Sequence, residues 1–247
     1  MRFASAALLT FAALLTACAP RTVQPASSGS DLRAAFSEAG VVWTEHGKTC
    51  VARVPSFTAV CPEVGQVVDV NWHAGEAWAA IPAAGIVATL DHAPQTLAVG
   101  AVTALSANAI YRQDGSALTY QGLPVAEVPG RPSAAVTGGD GLDYVLLGGQ
   151  LVRVSDGRVL DPLGGPFLTV TPGGVRVTSH PAVETTSGTY WLRNGRLERV
   201  DAAGTVLAGV PHEAGLVGVV GGDIVTVSSG GHLRRFSADL RELPPNP

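Results

Sequence analysis

The chain has few side chains that could do chemistry, and three of them are cysteines. Cys50 and Cys61 bracket the stretch VARVPSFTAV. A four-residue loop at 54–57, with Pro55 at a turn position whose φ suits proline, would align the two cysteines as a non-hydrogen-bonded pair. Their Cα atoms would then be about 4.5 Å apart, a distance compatible with a disulfide. A redox or metal role lacks the usual Cys-x-x-Cys motif or a nearby histidine pair, so we predict a structural disulfide.

The histidines show no pattern typical of a metal site, because no two of them stand at ligand spacing. They are His46, His73, His92, His180, His212 and His232. The sequence also has no Gly-x-Ser-x-Gly elbow, no phosphate loop and no sialidase-type Ser-x-Asp-x-Gly-x-x-Trp box. We therefore predict no catalytic residue, no metal ligand and no cofactor, although acidic side chains from distant parts of the chain could still pair in the fold.

Two stretches could line a ligand-binding rim. NWHAGEAW, residues 71–78, gathers aromatic and polar side chains around a turn, and SHPAVETTSG, residues 179–188, is an extra stretch within a repeat. Aromatic faces stack well on sugars and peptides. The candidate rim residues are Trp72, His73, Glu76, Trp78, His180 and Glu184. The alternatives are that the two tryptophans pack between elements of the fold and that residues 179–188 are a plain insertion.

Repeated β-hairpins must position these residues. Six glycine-containing turns lie between runs of alternating apolar residues, at intervals of 30 to 46 residues. Their glycines are Gly47, Gly85, Gly115, Gly149, Gly195 and Gly231. A third short strand follows most of these hairpins, and a further apolar strand precedes most of them.

A four-stranded unit repeated at this interval is typical of a β-propeller. One such sheet cannot bury both faces alone, whereas sheets arranged around an axis cover one another. We predict an all-β propeller, with six blades of four short antiparallel strands. The alternative is a stack of hairpins forming a sandwich or barrel. The first unit has no obvious inner strand, because SDLRAAFSEAG at 30–40 could be a short helix with Leu32, Ala35, Phe36 and Ala39 on one face, or a strand.

Two repeats resemble the short repeats of pyrroloquinoline-quinone-type propellers. They are GRLERVDAAGTVL at 195–207 and GQLVRVSDGRVL at 149–160. That family includes quinone dehydrogenases and a lipoprotein that helps to assemble outer-membrane barrels. The units found here lack the family's tryptophan after the glycine and number six rather than the common eight. The resemblance implies the fold and does not carry over a cofactor or a substrate.

The amino terminus reads as an export signal. Arg2 precedes an apolar run at 4–17, which is too short to span a bilayer. Its end, Leu15-Thr16-Ala17-Cys18, resembles the lipobox of bacterial lipoproteins. The resemblance implies cleavage before Cys18 and lipid on that cysteine, with palmitate among the acyl chains expected. Ala19, in place of aspartate, favours the outer membrane if the host has one.

Composition limits the remaining possibilities. The net charge is −4 and there is no basic block, so a nucleic-acid partner is not expected. Residues 19–30 are small and polar and read as a flexible link. We divide the chain into a signal peptide (1–17), lipidated Cys18 with its tether (18–30), a propeller domain (31–243) and a tail (244–247).

Two functional hypotheses follow from these patterns. The first is a non-enzymatic protein anchored by lipid in the cell envelope, outside the cytoplasm, whose propeller binds or scaffolds a protein or glycan partner. The second is an envelope hydrolase or lyase with its site at the propeller axis. The second requires a deep polar pocket with two carboxylates, or a histidine and a carboxylate, whose pKa values are shifted.

Overall fold

The computed structural model describes residues 22–24, 31–161 and 165–244. The regular elements in these ranges are all β-strands, and they form seven antiparallel sheets that follow one another along the chain. The predicted signal peptide, Cys18 and most of the tether lie outside the described residues, as do the last three residues of the tail. Nowhere in the described ranges is there a helix of the length and hydrophobicity needed to cross a membrane.

The first four sheets hold seventeen strands. Sheet 1 contains β1 (Thr22–Gln24), β2 (Arg33–Ser37), β3 (Gly40–Glu45), β4 (Lys48–Arg53) and β5 (Ala59–Val60). Sheet 2 contains β6 (Asp69–His73), β7 (Glu76–Ile81), β8 (Ile86–Thr89) and β9 (Thr96–Ala98). Sheet 3 contains β10 (Val102–Leu105), β11 (Ile110–Arg112), β12 (Ser116–Leu118) and β13 (Pro124–Glu127). Sheet 4 contains β14 (Pro132–Thr137), β15 (Asp143–Leu147), β16 (Gln150–Arg153) and β17 (Arg158–Asp161).

The last three sheets differ in strand number. Sheet 5 is a hairpin of β18 (Phe167–Thr171) and β19 (Gly174–Thr178). Sheet 6 contains β20 (Ala182–Thr185), β21 (Gly188–Arg193), β22 (Arg196–Val200) and β23 (Val206–Pro211). Sheet 7 contains β24 (Gly215–Val220), β25 (Asp223–Ser228) and β26 (Leu233–Phe236).

The sheets stand in a closed ring around one axis. The inner strands are β2, β6, β10, β14, β18, β20 and β24, and each contacts the inner strand of the next sheet. The ring closes because β24 contacts β2. Buried apolar clusters lie between neighbouring sheets, as expected when thin sheets cover one another's faces. The predicted β-propeller is therefore confirmed.

The ring has seven sheets rather than the six blades predicted. The additional one is sheet 5, whose turn at Pro172-Gly173 was not counted among the repeated hairpins. Residues 179–188, predicted to be an extra stretch within a repeat, therefore lie where sheet 6 begins. Residues 179–188 in fact contain β20. The local pattern identifies most of the strands, but it does not show how they divide into sheets.

The helix considered for residues 30–40 is wrong, because this segment contains strand β2. Ala35 packs in the cluster shared with sheet 2, while Ala34 and Phe36 pack in the cluster shared with sheet 7. A strand buried on both faces loses the apolar–polar alternation by which a strand is usually recognised. The first sheet therefore has an inner strand like the others.

The Cys50–Cys61 disulfide is present, with the two Cα atoms 4.0 Å apart. The predicted register is also found, since Val51 pairs with Val60 across β4 and β5. The bridge ties the short outermost strand of sheet 1 to the rest of that sheet.

Strand β1 lies inside the ring. It pairs antiparallel with the free edge of β2, with Thr22 opposite Phe36 and Gln24 opposite Ala34. It also contacts the inner strands β14, β18 and β24. The backbone of residues 22–24 therefore occupies the axial channel and runs opposite to the surrounding inner strands.

Candidate functional site

The two ends of the ring differ in the loops that they carry. We call the end where the inner strands begin the N face and the end where they finish the C face. The N face carries the links that lead into each inner strand and the turns between second and third strands, such as His46-Gly47. The C face carries the turns that follow the inner strands and the links between third and fourth strands.

A cleft of about 620 Å³ opens on the N face across sheets 5, 6 and 7 and reaches the start of β2. Its lining includes Leu32, Phe167, Leu192 and Leu216, all almost completely buried in the fold. We call it the N-face cleft. Its volume lies in the range of small-molecule binding pockets, about 300–1,000 Å³. An apolar floor of this kind suits an apolar side chain of a ligand.

Polar groups surround that floor. His180 forms one wall, where its Nδ1 lies 2.9 Å from the hydroxyl of Ser179. Asn194, in the turn between β21 and β22, and Glu213 are exposed at the edge. The cleft thus combines a few polar groups with an apolar base, which is how binding sites fix the orientation of a ligand.

His212 also lines the N-face cleft, but its ring is already engaged. Its Nδ1 lies 2.7 Å from the carbonyl oxygen of Glu213, and its Nε2 lies 2.7 Å from the hydroxyl of Thr226. Burial lowers the pKa of His212, so the ring is neutral near pH 7. A carbonyl can only accept, so Nδ1 donates to Glu213 and Nε2 accepts from the Thr226 hydroxyl. Neither nitrogen is free to act as a base on a ligand.

A second cleft of about 550 Å³ lies on the same face, between sheets 1 to 4. Its lining includes the polar side chains of Asp31, Arg33, Gln66, Gln113 and Arg131. The N face therefore offers an apolar cleft at sheets 5 to 7 and a more polar one at sheets 1 to 4.

The six candidate rim residues do not come together. Trp72 is completely buried between sheets 1 and 2, where its Nε1 donates to the carbonyl of Ala35 over 3.0 Å. Trp78 is also buried and packs at a tilt against Tyr120, with ring centroids 5.1 Å apart. The alternative raised for the tryptophans, packing between elements of the fold, is the one that the structure shows.

The other four rim candidates are divided between the two ends of the ring. His73 is half-buried near the C face, stacked on Tyr120 with its Nδ1 2.8 Å from the carbonyl of Ala107. Glu76 and Glu184 also lie at the C face, where Glu184 pairs with Arg176. Only His180 lies in the N-face cleft.

An ionic cluster on the C face was missed by sequence reasoning. Arg53 donates to Asp91 at 2.7 Å and to Glu76 at 3.3 Å, and it lies over the ring of Trp72. A hydrogen bond with Asp91 raises the pKa of Glu76, and Arg53 partly opposes this shift. No local signal could find this cluster, because its members come from the end of β4, the start of β7 and the link after β8. It links sheets 1 and 2 at their rim.

Among the described residues, Asp143 is the carboxylate that accepts the most side-chain hydrogen bonds. It accepts hydrogen bonds from the hydroxyls of Ser106, Tyr111 and Thr137, and from the amide of Asn108, at 2.7 to 3.0 Å. Burial raises the pKa of Asp143, while these bonds act in the opposite direction. Its donors come from sheets 3 and 4, so this network joins two blades and leaves the carboxylate no free face for a ligand.

Comparisons with known proteins concern the fold. Neither a protein-family model nor a curated protein matches the sequence. A streptogramin B lyase is 15% identical over 95% of this chain and 85% of its own, with a TM-score of 0.42. BamB from Moraxella catarrhalis is 13% identical over 82% of this chain and 80% of its own, with a TM-score of 0.45. PorZ, a surface component of the type-IX secretion system of Porphyromonas gingivalis, is 12% identical over 93% of this chain and 38% of its own, with a TM-score of 0.49.

Proposed function

We propose that this chain is a lipid-anchored cell-envelope protein whose propeller binds a segment of a partner protein in the N-face cleft. The observation that carries the proposal is the cleft itself. It has a volume of about 620 Å³ and an apolar floor, and His180, Asn194 and Glu213 border it. A peptide segment can bury one or two apolar side chains on such a floor while its backbone bonds to the polar edge. A glycan would favour exposed aromatic faces, and none of the tryptophans lines this cleft.

The proposed anchor also agrees with the path of β1. Thr22 pairs with Phe36, next to the C-face end of β2. Cys18 precedes Thr22 by four residues, which is a reach of at most about 14 Å. With lipid on Cys18, the C face would lie towards the membrane and the N-face cleft away from it, open to a partner.

The enzymatic alternative has less support. The N-face cleft is lined by a single carboxylate, Glu213, among the residues described, and His212 has both ring nitrogens engaged. The axis, where a shared site was expected, holds the backbone of β1. The binding role is therefore the better supported of the two.

Site-directed photo-cross-linking in the envelope of the host tests the binding role. A photoreactive residue at Asn194, on the edge of the cleft, should yield a defined adduct that contains peptides of a second protein. The matched position is Ala203, which is exposed on the opposite face of the same sheet and should yield none.

A second variant ties the adduct to the cleft. Ala214 is exposed within the cleft, so Ala214→Trp should fill it and reduce the Asn194 adduct several-fold, whereas Ala203→Trp should not. Equal adducts from both faces, or a yield unaffected by Ala214→Trp, would contradict the role of the cleft. An adduct that contains no peptides of a second protein and loses mass on treatment with a glycan hydrolase would replace the protein partner with a glycan. Loss of membrane association in Cys18→Ser tests the anchor separately.

A further inference from the structure

We propose that Asp31, Glu45 and His46 form a binding site for a zinc-type divalent metal ion where the first and last sheets meet. One ligand atom from each residue lies within 4.8 Å of the other two. The Nε2 of His46 is 3.5 Å from Oδ1 of Asp31. Two ligands bound tetrahedrally at 2.0–2.2 Å from one zinc ion are about 3.4 Å apart, so this pair already has a suitable separation.

In Asp31 and Glu45, one carboxylate oxygen accepts a backbone hydrogen bond and the other oxygen is available to bind a metal ion. The backbone N–H of His46 donates to Oδ2 of Asp31 at 2.8 Å, and the backbone N–H of Gly230 donates to Oε2 of Glu45 at 2.7 Å. Such bonds to the non-ligating atoms are the usual means of orienting metal ligands. His46 has a φ of 49° in the tight turn after β3. This backbone conformation sets the position of its Cβ atom relative to Asp31 and Glu45.

The second carboxylate oxygen of Glu45 is evidence for a bound cation. Glu45 is only 7% exposed, and its Oε1 is buried without a hydrogen-bond partner. An unpartnered charged oxygen in a protein interior is costly, because it loses water without gaining a compensating bond. A cation held with Asp31 and His46 would compensate that oxygen directly.

The set of donors selects the class of ion. One imidazole nitrogen and two carboxylate oxygens suit zinc and its neighbours, whereas calcium prefers six to eight oxygen ligands. The side chains of Asp31 and His46 are 55% and 79% exposed, so water can complete the coordination. The histidine spacing in the sequence missed this site because only one of its ligands is a histidine.

The position of the site indicates what the ion does. Glu45 ends β3 in sheet 1, while Gly230 lies in the turn after β25 in sheet 7. Neutralising Glu45 would strengthen the junction between sheets 1 and 7, which closes the ring. The expected role is therefore structural, and it is independent of the proposed binding function.

Titration of zinc chloride into the chelator-treated full chain tests the site. The protein should be free of affinity tags and carry Cys18→Ser, so that this thiol supplies no ligand. We expect one ion per chain, and a rise in the melting temperature of about 5–10 °C when free zinc is 100 times the dissociation constant. His46→Ala and Asp31→Asn should each weaken binding by about tenfold or more.

The matched control is the pair His232 and Glu213, on the same face. Its atoms are 3.8 Å apart and similarly exposed, but among the described residues no third ligand joins them. His232→Ala should leave zinc affinity unchanged. Glu45→Gln should weaken zinc binding and keep the near-ultraviolet circular dichroism of the folded protein. If this variant does not fold, the zinc affinities of His46→Ala and Asp31→Asn test the site instead. No saturable binding, calcium bound as tightly as zinc, or equal losses in His46→Ala and His232→Ala would overturn the proposal.

Discussion

Gly218 is where closure of the ring can be tested most directly. It lies in β24 of sheet 7, against the ring of Phe36 in β2 of sheet 1. A Cβ added at Gly218 would lie 2.2 Å from Cγ and 2.7 Å from Cβ of Phe36. Carbon atoms in contact prefer about 3.5–4.0 Å, so Gly218→Ala requires the two sheets or the ring to move by more than about 1 Å.

These distances give the size of the expected change in the free energy of unfolding. Overpacking a core costs about 1–3 kcal/mol, and the upper end applies because the closest atoms adjoin the backbone of Phe36 rather than ending a flexible side chain. Replacing glycine by alanine also restricts the unfolded chain, which offsets about 0.4–1 kcal/mol. We expect Gly218→Ala to lower the free energy of unfolding by about 2 kcal/mol, or the melting temperature by about 4–8 °C.

Urea unfolding followed by tryptophan fluorescence measures this change. Gly173→Ala is the control, because apart from its chain neighbours no atom lies within 4 Å of its added Cβ, so it should leave stability unchanged or raise it by up to about 1 kcal/mol. Phe36→Ala alone should cost about 3–5 kcal/mol. Since it removes the ring that the added methyl group would strike, the double variant should be more stable than the sum of the two single effects by about 1 kcal/mol or more. Additive effects would mean that β2 and β24 do not pack together and that the ring is not closed there.

Two further predictions concern single sheets. Replacing both Cys50 and Cys61 by serine should lower the free energy of unfolding in urea by about 3 kcal/mol, because the bridge closes a loop with a sequence separation of 11; an unchanged midpoint would contradict this. Burial raises the pKa of Asp69 to about 6, so the folded protein keeps a proton that the unfolded chain releases near pH 4. The free energy of unfolding should therefore fall by up to about 3 kcal/mol between pH 4 and 6, and Asp69→Asn should abolish this slope; an identical slope in the variant would exclude Asp69 as its source.

The disulfide shows how far local reasoning reaches. The pairing of Cys50 with Cys61 depends on a turn and two short strands within twelve residues, so loop length and strand alternation were enough to predict it. The hairpins of the repeated units were predicted for the same reason. Each is closed by a turn whose residues are adjacent in the sequence.

The rim residues show where such reasoning stops. Trp72 and Trp78 are aromatic residues near a turn, which is equally typical of a binding rim and of a core. Their burial is decided by sheets 1 and 3, which flank the sheet that carries them. The N-face cleft likewise combines residues such as Leu32 and Leu216, which are far apart in the sequence.

The sequence by itself determined most of the strands and hairpin turns, the bridge between Cys50 and Cys61 and the choice of a propeller, because these depend on contacts between neighbours along the chain. Only the tertiary structure decided that there are seven sheets, that β1 occupies the axis and that Glu45 reaches Gly230, 185 residues away. Contacts of that kind arise when whole sheets pack face to face. No pattern within one repeat records which sheet will be its neighbour.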